Sequence, residues 1–353
     1  MALLYVGSVA SHSGKNVVCL GLGHQLLKDG KKLAYIKPYG ASPAMAEGTA
    51  IDAEAWMIAQ SLGLEQTPGQ TSPVVANQDL RALALRHQCA DLILRIKKSV
   101  EELSPGKDLT LLSGAGTLAS GAMCGVDAFA VTAALDTKLI LVDRYENQYY
   151  LDNLVRAADV FGDRLVGVII NNTNPEMNDA LQNEVIPYLA GEKITVLGCL
   201  PKDELLRAVS VQNLVQMLGA SLLTGARYGS RLVKRFFIGA MQVTHAGKFF
   251  SGSRDFACLV GGDRPDIQMA AIESHAACLI LTGNFYPSDI ILSRAEENKV
   301  PVLVVRADTY SAAHRVESMR HRISLQDEEK IGRAEQLVRD NVDFKALYQK
   351  LGL

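Results

Sequence analysis

Leu3-Leu4-Tyr5-Val6-Gly7-Ser8-Val9-Ala10-Ser11-His12-Ser13-Gly14-Lys15-Asn16 is the stretch on which the reading of this chain turns. Leu3 to Val6 is a short apolar run of the kind a buried strand shows. A loop of small residues follows and ends in Ser13-Gly14-Lys15. Val17 to Leu27 then carries a helical apolar pattern. Strand, glycine loop, lysine and helix make the layout of a phosphate-binding loop. Amides at the start of the helix face an anion, the helix dipole adds to their pull, and the lysine supplies a mobile positive charge. The loop departs from the usual pattern at two places. Val9 stands where the first glycine is expected, and Asn16 where a Ser or Thr hydroxyl would reach Mg²⁺. An ordinary strand-to-helix turn with an exposed lysine is the competing reading.

Composition narrows the classes. The chain has 353 residues, enough for two domains or one large one. Its net charge of −2 gives no nucleic-acid or membrane footprint. No apolar run is long enough to span a bilayer, and no basic leader precedes the first strand, so a cytoplasmic location is expected. The six cysteines form no C-x-x-C pair and read as reduced core residues. The histidines lack metal spacing. His12, inside the loop, is the one placed to touch a ligand.

Along the chain, short apolar runs alternate with helical patterns. Leu33 to Ile36 reads as a strand with Lys37 at its C-terminal end, where ligands gather in open parallel sheets; a solvated strand end is the alternative. Ile51 to Leu62 reads as a helix with Asp52 and Glu54 near its start. Ala82 to Leu103 reads as one long helix. The strand Leu109 to Leu112 runs into Ser113-Gly114-Ala115-Gly116. The strand Lys138 to Val142 is followed by Asp143-Arg144, read as an exposed salt-bridging loop. The strand Leu165 to Ile170 runs into Asn171, and Ile194 to Leu197 into Gly198-Cys199-Leu200-Pro201. This alternation implies an α/β fold with a doubly wound, mostly parallel sheet of P-loop type. Leu205 to Leu218 reads as a helix, and a smaller α/β unit follows. Its strand Phe256 to Val260 enters the turn Gly261-Gly262-Asp263-Arg264-Pro265-Asp266. There Arg264 is suited to a bidentate grip on a carboxylate or phosphate, or to a structural ion pair. The expected domains are 1–210, 215–325 and a helical tail, 326–353.

Five segments in order give the first domain a family resemblance: Ser13-Gly14-Lys15, Lys37-Pro38, Gly114-Ala115-Gly116, Gly167 to Asn171, and Gly198 to Pro201. It resembles the dethiobiotin-synthetase-like (BioD-like) branch of P-loop proteins. The second domain, with Gly262-Asp263-Arg264-Pro265-Asp266-Ile267, looks like a DRTGG domain. Together they resemble the N-terminal half of the long bacterial phosphotransacetylases, and the chain stops where an acetyltransferase domain would begin. The resemblance implies that Ser13, Gly14, Lys15, Asn16, Lys37, Gly114, Gly116 and Asn171 face a nucleotide such as ATP, with Asn171 reading adenine. It implies a magnesium-binding glutamate at the position of Ser113. With Asn16 and Ser113 in place of hydroxyl and carboxylate, Mg²⁺ is expected to bind poorly, and Asn16 and Asp52 are weak metal candidates. Asp263, Arg264 and Asp266 form a second candidate site, in a motif that departs from Thr-Gly at Pro265 and Asp266.

The expected function is a non-catalytic regulatory protein that binds a nucleotide or small anionic metabolite. It is expected to form a homo-oligomer through the DRTGG domain. One alternative is an ATP-dependent carboxylate–amine ligase of the dethiobiotin or cobyrinate-amidating kind. Another is an interaction subunit of a separate acetyltransferase.

Overall fold

The computed structural model describes residues 2–145, 149–250, 252–320, 325 and 327–353. Residues 321–324, at the end of the expected second domain, lie outside the described residues. The chain divides into two compact units, residues 1–203 with 325–353, and residues 204–324.

The first unit is built on six strands: β1 (Ala2–Gly7), β2 (Leu33–Ile36), β3 (Leu109–Ser113), β4 (Lys138–Arg144), β5 (Leu165–Thr173) and β6 (Val196–Pro201). Their order is β6-β5-β4-β1-β3-β2, and every pairing is parallel. The alternating pattern therefore did imply the right α/β class. Strands covered on both faces need continuous apolar runs, and β2 is buried at all four positions. Helix α1 (Lys15–Lys28) follows β1. It is buried almost all round, at Val17, Val18, Cys19, Leu20, Leu22 and Leu26, as expected of a helix covered on more than one side. Part of that cover comes from the C-terminal helix Glu328–Asn341, which packs on α1. The approach is close: a Cβ at Gly21 would collide with the Val338 side chain.

Two segments differ from their sequence reading. The long helix expected over 82–103 is two helices, Gln78–Leu85 and Leu92–Leu103. His87 and Asp91, both at positive φ, break it. Ahead of α2 (Ala53–Ser61), residues 43–52 form a small antiparallel hairpin. Asp52 ends that hairpin and caps α2, its carboxylate accepting from Ala55 N at 2.8 Å.

The second unit holds β7 (Ser221–Thr224), β8 (Arg235–Ile238), β9 (Phe256–Gly261), β10 (Cys278–Thr282) and β11 (Val302–Val304), in the order β7-β11-β10-β9-β8. All pairings are parallel except β7 with β11. The helix expected over 205–218 begins only at Val211, where Ser210 Oγ accepts from Asn213 N. The turn after β9 leads into helix α3 (Pro265–Glu273), whose first position is proline, as suits a helix start.

Candidate anion-binding site

The loop between β1 and α1 lies at the C-terminal edge of the sheet, between the ends of β3 and β4. Gly14 precedes the helix at φ +99°, a left-handed conformation that glycine adopts without strain. A Cβ there would also land on the Asn171 amide, which donates to Ser13 O at 2.8 Å. Asn171 is thus brought to the loop from the end of β5, with its Nδ2 on the loop backbone and its Oδ1 accepting from Asn172 N.

Lys15 is 7% exposed. Its Nζ donates to Ser8 Oγ at 2.6 Å and to Gly116 O at 2.5 Å, so it curls back across the loop toward the end of β3. Burial pulls its pKa down to about 8, with Asp143 opposing the shift and Lys37 adding to it. A shift of that size, from 10.5, corresponds to roughly 3 kcal/mol against the charged form. An incoming anion would return much of that energy, whereas a merely exposed lysine would have none to return. The first amides of α1 have no intrahelical partners, as at any helix start. They face the same space, with the positive end of the dipole behind them.

Asp143 corrects the sequence reading. It is not an exposed loop residue but is 3% exposed at the end of β4, beneath the loop. Its carboxylate accepts from Val9 N at 2.8 Å, Ala10 N at 3.1 Å and Ser13 Oγ at 2.9 Å. Burial raises its pKa to about 6 against the lowering effect of these bonds. Asp143 therefore sets the shape of the loop's first half.

Lys37 is buried as well. Its Nζ lies 3.0 Å from Asp52 Oδ1 and 3.0 Å from Glu54 Oε2. Burial lowers its pKa, but the two carboxylates outweigh burial and the net shift is upward. Burial alone would raise the Glu54 pKa; Lys37 and the Asn16 amide reverse this, and it falls below the ordinary value. Asn16 Nδ2 donates to Glu54 Oε2 at 2.9 Å. Asp52, fully buried, also accepts from Ser42 N at 2.8 Å. Ser113 Oγ is buried without a hydrogen-bond partner among the described residues. His12 is exposed at φ +56°. Gly114 N bonds Val6 O at 2.9 Å and holds the end of β3 against β1.

The magnesium implied by the resemblance fits these residues poorly. Asp52 and Glu54 already hold Lys37, Asp143 is engaged by the loop's own amides and Ser13 hydroxyl, and the hydroxyl of Ser113 replaces a carboxylate. No group of three or more His, Cys, Asp or Glu side chains suited to a metal occurs among the described residues.

In the second unit, the turn after β9 is organised differently. Arg264 Nε and one terminal nitrogen grip Asp266 at 3.0 and 2.9 Å, and that nitrogen also reaches Met241 O at 3.3 Å. The pair is 37% and 41% exposed. Asp263 is exposed beside it.

A strand, a phosphate loop with its lysine, and a helix on a parallel sheet define a P-loop α/β protein. A family model described as an AAA domain matches residues 3–210, and the chain belongs to that family, whose P-loop branch is BioD-like. A second model, the DRTGG domain, matches residues 213–319. The phosphate acetyltransferase of Synechocystis sp. is 24% identical over 99% of this chain and 51% of its own length. That of Pseudomonas aeruginosa is 24% identical over 100% of this chain and 52% of its own length. The chain thus spans about half the length of these curated relatives, consistent with the architecture of a phosphotransacetylase N-terminal half. Among solved structures, the MinD cell division protein of Aquifex aeolicus is 17% identical, with a TM-score of 0.37, over 57% of this chain and 83% of that one. The CBS and DRTGG domains of Clostridium perfringens pyrophosphatase are 20% identical, with a TM-score of 0.31, over 50% of this chain and 74% of that one.

No helix among the described residues is long and apolar enough to cross a membrane.

Proposed function

We propose that this chain is a regulatory, non-catalytic member of the phosphotransacetylase family whose β1–α1 loop binds a nucleotide or another small anion. The observation that carries the reading is the desolvated Lys15 ammonium, held 2.5 Å from Gly116 O and 2.6 Å from Ser8 Oγ beside the start of α1. A buried charge with only neutral hydrogen-bond acceptors has a standing affinity for an anion. Phosphoryl transfer relies on a metal to neutralise developing charge. The engaged acids Asp52 and Glu54, with Ser113 at the carboxylate position, favour binding over turnover.

Contacts between copies are proposed to lie on the second unit. Phe285, Tyr286 and Ile290, between 58% and 73% exposed, support that assignment. A cytoplasmic location is proposed with this reading.

Calorimetric titration with ATP, ADP and NADH tests it. At least one of the three should bind, and Lys15→Ala should weaken that binding at least about tenfold. Magnesium-dependent ATP turnover that Lys15→Ala abolishes would overturn the non-catalytic reading and restore the ligase alternative. No binding of any of the three would favour an interaction subunit for a separate acetyltransferase.

A further inference from the structure

We propose, on the reading of the loop as an anion site, that the Lys37 ammonium takes the place of a divalent cation at this loop, so that the anion is bound without metal. Of the acids at this edge, Asp143 is tied up by the loop itself, through Val9 N, Ala10 N and Ser13 Oγ, and the other two, Asp52 and Glu54, converge on one point. Asp52 Oδ1 and Glu54 Oε2 each lie 3.0 Å from Lys37 Nζ. A divalent ion drawn to that acid pair would need oxygens at about 2.1 Å in near-octahedral array. The ammonium already fills the point of convergence, and two positive centres cannot share it.

Lys37 is also unable to move aside. It is 3% exposed and Asp52 is 0% exposed, so withdrawing the lysine would leave a buried carboxylate without its counter-ion. Asp52 is anchored in turn by Ala55 N and Ser42 N. Asn16, the residue after the loop lysine, turns its amide NH₂ toward the same Glu54 oxygen at 2.9 Å. A hydroxyl or carboxylate at that position would offer a cation an oxygen; the Nδ2 donor adds partial positive charge instead. A fixed ammonium and an amide donor therefore do at this edge what a metal and its ligand would otherwise do. The ammonium offsets one of the two carboxylate charges and the amide donor part of the other, so the positive charge offered to the ligand is that of Lys15. The class of ligand that suits such a site is a metal-free anion, of the kind presented by a nucleoside diphosphate or pyrophosphate without its magnesium.

Manganese serves as the probe, because it takes the same oxygen ligands and the free ion is read directly by electron paramagnetic resonance. The wild-type chain should leave the free-ion signal unchanged up to about 1 mM manganese. Lys37→Ala vacates the acid pair and should gain one manganese per chain, bound at least about tenfold more tightly than by wild type. Adding Glu54→Gln should remove that gain. Wild-type uptake of one manganese that Glu54→Gln abolishes would overturn the proposal. So would a folded Lys37→Ala chain that takes up none. Where Lys37→Ala does not fold, the wild-type and Glu54→Gln titrations decide the question between them. Failure of the underlying loop reading looks different: ADP binding would then be indifferent to Lys15→Ala, whatever manganese does.

Discussion

Both units end parallel strands in strand–turn–helix loops, and both place acids and a cationic side chain there. The first unit buries most of them: Lys15, Lys37, Asp52 and Asp143 are all 7% exposed or less, and only Glu54, at 45%, reaches water. The second leaves them in water, where Arg264 and Asp266 are 37% and 41% exposed and bind one another two residues apart. The difference is one of energetics. An exposed local ion pair satisfies itself at high dielectric and contributes little. Buried charges must be held by several partners at once, and any imbalance among them is available to a ligand. In the first unit Lys37 is balanced by two carboxylates, while the direct hydrogen-bond acceptors of Lys15 are neutral. Among the described residues at this edge, Lys15 is thus the cation with no carboxylate in direct contact, Asp143 acting on it only at longer range.

Breaking the balanced part should have the largest effect. Lys37→Ala removes the counter-ion of the buried Asp52 and is expected to cost about 3–5 kcal/mol of stability, read by chemical denaturation. Gly14→Ala comes next. It forces a side chain to φ +99° and pushes the Asn171 amide off Ser13, at an expected cost of about 2–3 kcal/mol. The third effect is a pH dependence. With a pKa of about 8 against 10.5, Lys15 holds fewer protons in the folded than in the unfolded chain between those values. Stability of the ligand-free protein should therefore gain from this residue as pH rises through that window, by roughly 3 kcal/mol in full, and Lys15→Met should remove the gain. Anion affinity should run the opposite way and fall as pH rises above about 8, because the neutral amine attracts no anion. The smallest effect belongs to the other unit. Arg264→Ala should leave the melting temperature unchanged within error, since the lost pair is exposed and local. A marked loss would mean that the turn carries more structural load than its exposure implies.

Much of this was legible in the amino-acid order. Buried parallel strands are written as continuous apolar runs, so the α/β class and the loops at strand ends could be read directly. Lys15 does meet Gly116, and Asn171 meets Ser13, although the partners lie far apart in sequence. Asp143 was misread for a physical reason. Its position beneath the loop follows from β4 lying next to β1, and the run Leu139 to Val142 says nothing about which strand it will neighbour. Lys37 showed as a strand-end cation, but its pairing needed the 43–52 hairpin to bring Asp52 and Glu54 back to it. The helical tail was expected, but its charges hid the face by which it packs into the first unit. Its buried stripe is Lys330, Ala334, Leu337 and Val338, of which only three are apolar, and Val338 meets a glycine, Gly21, which has no side chain to advertise the contact.

One paired titration bears most directly on the contrast between the units. Wild type, Lys15→Met and Arg264→Ala are each titrated calorimetrically with ADP in the absence of magnesium. The account predicts that wild type and Arg264→Ala bind alike within about twofold, and that Lys15→Met weakens binding by more than about tenfold. Binding that survives Lys15→Met but is lost in Arg264→Ala would contradict it, and would move the anion site from the buried loop of the first unit to the exposed turn of the second.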